Sequence, residues 1–194
     1  LMYRYVELRK KILGLDEMHM YDVYVPLASE VQKTYTFEEA KQIVQRGLKP
    51  LGEKYGTVLK QGMESRWIDI YENEGKRTGA YSWGAYGTHP YVLLNFNGNL
   101  TNVFTLAHEM GHALHSYFSD EAQPYLYAGY KIFVAEVAST CNEALLIHYL
   151  LEQSKDEKER MYLINYFLDK FKGTMFRQTM FAEFEKITHA AVEA

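Results

Sequence analysis

A chain of 194 residues, 47% hydrophobic and 24% charged, is long enough for one substantial core, as a domain or as part of a larger one. Its formal net charge of −4 and sequence pI near 6.0 offer no basic surplus for nucleic acid or an anionic lipid surface. A single cysteine, Cys141, excludes an internal disulfide and fits a reducing compartment, and no apolar run approaches the roughly 20 residues of a membrane span.

The opening LMYRYVELRKK has the pattern of an amphipathic helix rather than of a signal peptide, and Gly14 ends that helix. After a connection that contains Pro26, Thr36 caps a second helix. Its first turn carries Glu38 and Glu39, and Ala40, Ile43, Val44, Leu48 and Leu51 recur at helical spacing. Pro50 and Gly52 interrupt it. Residues 67–96 change character: WIDIY, AYSWGAYG and YVLLNF are short, aromatic and β-rich, with glycines between, and predict a small antiparallel sheet. Helical spacing returns over 101–117, AQPYLYAGY reads as a loop, and 132–153 and 158–189 read as two long helices. The expected fold is mainly α with one small antiparallel β-sheet. The chain both starts and stops inside helical patterns, so it is expected to be a piece of a longer protein.

Chemistry concentrates in FTLAHEMGHALHSYFS, where His108, Glu109 and His112 form H-E-x-x-H. Positions i and i+4 of a helix lie about 40° apart and one turn up, so two imidazoles on one face can hold one metal ion. Zinc there would acidify a bound water, with Glu109 as the base beside it. A third protein ligand is needed. The pattern with a third histidine six residues on fails, because position 118 is Phe118. His115 is better placed for packing or for a hydrogen bond than for the same ion. In KIFVAEVASTCNEALLIHYLLE two acids, Glu136 and Glu143, lie seven residues apart on one helical face in apolar surroundings. Glu136 is the expected third ligand, and Glu143 the expected acceptor for a ligand histidine's N–H. The alternative is that both acids sit at a solvated edge. Cys141 faces away from Glu136 and is a poor fourth ligand.

HEMGHALHS followed by FVAEVASTCNEALL resembles the M3 family of zinc peptidases, in particular its oligoendopeptidase F branch. GKRTGAYSWGAYGTHPYVLLNF before the motif and FRQTMFAEFE after it are similar to that branch too. The resemblance runs along essentially the whole chain. It implies a neurolysin-like helical catalytic domain with a deep channel, and one Zn2+ ion on His108, His112 and Glu136. It implies Glu109 as general base and oligopeptide substrates, cut internally, usually in the cytoplasm. It also implies a tyrosine- and histidine-rich loop further towards the C-terminus that binds substrate and stabilises the oxyanion. Residues 1–194 would then be the central part of the catalytic domain, completed by the remainder of the same polypeptide. A related helical zinc carboxypeptidase and a zinc or peptide-binding module without turnover are the competing functions.

Four further expectations concern the surroundings of the motif and the last helix. Gly79, Ala80, Tyr81 and Ser82 form either an ordinary edge strand or one whose free N–H and C=O groups pair with an extended substrate. His89 either lines the substrate channel or shapes the turn before Pro90. Arg177 and Glu183 are expected as buried or half-buried ion-pair partners around the site, and Phe171, Phe176, Phe181 and Phe184 as core.

Overall fold

The computed structural model describes residues 1–28 and 33–193. In chain order its elements are α1 (Met2–Leu13), a 3-10 turn (Met20–Tyr24), α2 (Phe37–Gly47), α3 (Glu53–Glu64), β1 (Ile68–Asp69), β2 (Tyr81–Trp83) and β3 (Tyr91–Leu93). They continue with α4 (Leu100–Ala122), a short α5 (Tyr125–Ala128), α6 (Ile132–Gln153), α7 (Glu157–Phe171) and α8 (Arg177–Glu193). The fold is mainly helical with one small sheet, as the sequence pattern predicts.

Two units can be distinguished. The larger, Gln32–Gln153, carries the H-E-x-x-H motif. Its axis is α4, which buries Val103, Phe104, Leu106, Ala107, Met110, Ala113 and Leu114 among α2, α3, α6 and the sheet. Each large side chain fully buried here is worth about 1.5–3 kcal/mol relative to exposure. α2 starts where expected: Thr36 Oγ1 accepts from Glu39 N–H at 3.2 Å, and Glu39 Oε2 accepts from Thr36 N–H at 2.8 Å. Pro50 and Gly52 do break the helical run, through a 3-10 turn at Lys49–Leu51.

The sheet order is β1-β3-β2, and it is mixed rather than antiparallel. β2 pairs with β3 antiparallel as expected, but β1 joins the other side of β3 in parallel, Ile68 opposite Val92. The long GKRTG-containing link carries the chain past the future β3 position, so β1 and β3 run the same way. Register also fixes which groups stay free. Val92 N–H donates to Trp67 O at 2.7 Å and Leu94 N–H to Asp69 O at 2.8 Å, so these amides face β1. Tyr91 and Leu93 therefore face β2 and exchange bonds with Trp83 and Tyr81. Ser82, opposite Val92, points its N–H and C=O to the open edge.

The smaller unit comprises the described residues of Leu1–Val31 and Ser154–Ala194. Its anchor is the fully buried Arg9, which donates to the carbonyls of Val25 and Asp22 and lies 3.7 Å from Asp169 of α7. Gly14 ends α1 in the left-handed conformation, φ 67°. The single helix expected over 158–189 is α7 and α8 joined by a π-helical turn, Lys172–Phe176. Two expectations here are corrected. Phe171, at the end of α7, and Phe181 and Phe184, on α8, are exposed, the last by 65%, and no described residue of α8 is buried. Arg177 and Glu183 are exposed and do not pair; Arg177 instead donates to Tyr24 OH at 2.9 Å and covers its ring.

Candidate metal centre

His108 and His112 project from α4 towards the first turns of α6, where Glu136 meets them. The three ligand atoms form a triangle. His108 Nε2 and His112 Nε2 are 3.1 Å apart, and Glu136 Oε2 is 3.4 Å from the first and 3.3 Å from the second. Tetrahedral zinc with ligands at about 2.0–2.1 Å separates its ligand atoms by about 3.3–3.4 Å. The observed triangle therefore fits one ion of that size just off its plane, with a fourth position left open. It is the cluster of metal-ligating side chains found among the described residues.

The other ring nitrogens are already committed. His108 Nδ1 is 2.6 Å from Glu143 Oε1, so the imidazole donates through Nδ1–H and turns its Nε2 lone pair inward. His112 is hydrogen-bonded to the Ala135 backbone through its ring. Glu136 is held as well: Ser139 Oγ, fully buried, donates to Glu136 Oε2 at 2.7 Å. This close meeting of α4 and α6 depends on Gly111, which stands against the Ser139 backbone with no room for a Cβ.

Electrostatics also favour a cation. Burial raises the Glu109 carboxyl above its usual range, and the charges of Glu136 and Glu143 push it the same way, against the pull of His108. Burial lowers His108, but the hydrogen bond and charge of Glu143 outweigh it and leave the pKa raised. His112 is lowered, first by burial and also by His108. Three carboxylates thus surround two imidazoles, an excess of negative charge that a divalent ion would offset.

Burial calls for a counter-ion at only one of the two α6 acids. The Glu143 side chain is 15% exposed, but that of Glu136 is 62% exposed, on a first turn where Ile132, Phe133 and Val137 are exposed too. Glu136 belongs to the cluster by geometry. His115 does not; its ring stacks on Tyr130 with centroids 3.7 Å apart and planes 10° apart. Cys141 is exposed and outside the cluster.

β2 lies beside α4. Gly79 and Ala80 line a cleft of about 230 Å³ with Thr105, one turn before His108. At the other end, Gly84 touches Ser116. The strand expected to offer Tyr81 N–H to a substrate instead offers that of Ser82, since Tyr81 is committed to Leu93. His89 stacks on the buried Trp67, centroids 5.6 Å apart and planes 6° apart, and its Nδ1 is 2.7 Å from Pro90 O, an arrangement that serves the turn. Sequence reasoning missed Ser139 and Asn142. Asn142 Nδ2 donates to Ala107 O and its Oδ1 accepts from Tyr55 OH, each at 2.9 Å, which ties α3, α4 and α6 together next to His108 and Glu143. The signal was present as two polar residues on the same face as the acids.

A model of the family described as Peptidase family M3 matches residues 1–194. Oligopeptidase PepF of Bacillus subtilis (strain 168) is 57% identical over 193 residues, an alignment that takes in 100% of this chain and 29% of that relative. Group B oligopeptidase PepB of Streptococcus agalactiae serotype III (strain NEM316) is 50% identical over 191 residues, covering 98% of this chain and 32% of the relative. The crystal structure of oligoendopeptidase-F from Enterococcus faecium superimposes with a TM-score of 0.61 at 38% identity, over 98% of this chain and 26% of that one. A solved structure from Chlamydophila abortus reaches 0.86 at 47% identity, over 99% and 32%. The chain thus spans about a third of the length of the relatives it matches.

Proposed function

Since this chain belongs to peptidase family M3, we propose that it carries the zinc centre of an endopeptidase that cuts short, unstructured oligopeptides. The observation that carries the reading is the triangle of His108, His112 and Glu136 with Glu109 buried beside it. His108, His112 and Glu136 would hold one zinc ion. Bound there, zinc would supply a Lewis acid for the scissile carbonyl and for a water that could then be deprotonated near neutrality.

The chain's own residues do the rest. A Glu109 carboxylate oxygen takes the proton of the attacking water, and the same oxygen then delivers it to the leaving amine. Burial of Glu109, at 7% exposure, keeps that carboxyl away from bulk water and raises its basicity. Glu143 and the Ala135 carbonyl hold the two imidazoles in one tautomer. Ser82 presents its N–H and C=O to an extended peptide, which reads backbone without requiring a particular side chain there. The names of the relatives, oligopeptidase and oligoendopeptidase, support internal cleavage of short peptides.

The test is Glu109→Gln in the full-length protein, assayed with internally quenched peptides blocked at both ends. The variant keeps its zinc and loses turnover by about 10²-fold or more. An active variant ends the general-base role. Cleavage confined to peptides with a free C-terminus makes the protein a carboxypeptidase instead.

A further inference from the structure

A second cleft, of about 370 Å³, lies between β2 and the C-terminal half of α4, and the catalysis proposed above leaves it unused. Its walls include Ser82, Trp83, Gly84, Ser116, Asp120 and Tyr130. Strand and helix close its base, for a Cβ on Gly84 would stand 2.5 Å from Ser116 Cβ. Tyr130 is a fixed wall: its ring lies on His115, and its hydroxyl is 3.0 Å from Ser116 Oγ. Trp83, next along the strand, borders the cleft and is largely exposed.

Two polar groups in the cleft are left over. Ser82 Oγ is buried without a hydrogen-bond partner. Asp120 has no ion-pair partner among the described residues, whereas its neighbour Glu121 takes Lys54 at 2.6 Å. Asp120 is also the one charged side chain among the described residues that line the cleft. A carboxylate beside an aromatic ring suits a cation on an apolar stem. The stem's methylenes pack on the Tyr130 ring, and its N–H groups donate to the Asp120 carboxylate.

The position matches a substrate. The open edge of β2 borders the cleft, so a peptide paired to Ser82 would pass its mouth. Asp120 is eight residues beyond His112, or roughly 12 Å along the helix, which is about three to four residues of extended peptide. We infer that this cleft is a subsite that receives an arginine or lysine side chain of the substrate, about three to four residues from the bond cut. The inference rests on the peptidase reading.

The experiment uses the zinc-loaded full-length protein and end-blocked quenched peptides in which a single arginine is moved position by position. Each is compared with a twin carrying uncharged citrulline. At one position arginine raises kcat/KM by about 10-fold or more over citrulline, the worth of a charge-assisted hydrogen bond. Asp120→Asn brings that ratio close to one, leaves the citrulline peptides and zinc content unchanged, and Asp120→Glu keeps most of the preference. Asp120→Lys turns the preference towards glutamate at that position. No charge preference at any position, or one that survives Asp120→Asn, overturns the inference while the peptidase reading stands. Absence of zinc-dependent cleavage of every peptide removes both.

Discussion

Gly111 lies so close to Ser139 that a Cβ added to it would stand 2.7 Å from Ser139 Cα and 2.9 Å from Ser139 N. Both contacts are backbone and cannot swing aside. Gly111 sits between the two motif histidines, and Ser139 is hydrogen-bonded to the Glu136 carboxylate. One close approach therefore sets the distance between the helix that carries His108 and His112 and the one that carries Glu136. In an open helix Gly→Ala would gain about 1 kcal/mol of helix propensity. Here Gly111→Ala is expected to cost about 1–3 kcal/mol by overpacking and to weaken zinc binding, as α6 and Glu136 move away. Denaturant melts and zinc competition titrations check this. A variant as stable as wild type with unchanged zinc affinity would contradict it.

The two acids of α6 should behave differently. Glu136→Gln replaces an anionic ligand by a neutral amide and is expected to release zinc on dialysis. Glu143→Ala removes the acceptor of His108 Nδ1–H and is expected to cost about 10–100-fold in affinity or activity. Metal content and affinity separate the two. If Glu143→Ala loses zinc outright while Glu136→Gln keeps it, their roles are exchanged.

Ser82→Pro tests the open strand edge. The lost N–H faces away from β3, so the ladder survives, and the position is one an edge strand tolerates. KM for peptides should rise while the melting temperature and zinc content hold. Unchanged kinetics in a folded variant would make β2 a structural strand only.

Tyr55 gives a pH test away from the metal. Its phenol is pushed up to about 12, mainly by burial, partly offset by the hydrogen bond to Asn142. The folded pKa lies above the unfolded value near 10, so the contribution of Tyr55 to stability is complete below pH ~10 and is lost as pH rises towards about 12. Tyr55→Phe leaves Asn142 Oδ1 without its donor and should cost about 1–3 kcal/mol at neutral pH. The gap between variant and wild type should shrink in alkaline melts. A gap that stays constant would remove the phenol's titration from the account.

Much of the centre was legible in the sequence, because the spacing of His108 and His112 is a property of the helix itself. Glu136 and Glu143 were found through their seven-residue interval, although the burial argument applied to Glu143 alone. Long-range register was not legible. Nothing local says that β1 joins β3 in parallel, or that Ser82 rather than Tyr81 faces outward. The Phe171, Phe181 and Phe184 stripe shows the other limit: helical periodicity marks an apolar face, but what covers that face lies elsewhere in space. Asn142 and Ser139 looked like ordinary polar interruptions until α4 was set against α6.

His108, His112 and Glu136 are proposed above to hold one zinc ion. X-ray absorption at the zinc edge of the full-length protein tests it most directly. One zinc per chain is expected, with four nitrogen or oxygen neighbours at about 2.0–2.1 Å, two of them imidazoles, and the signal is expected to be lost in His112→Ala. A sulfur neighbour, a single imidazole, or an unchanged spectrum in His112→Ala would contradict it.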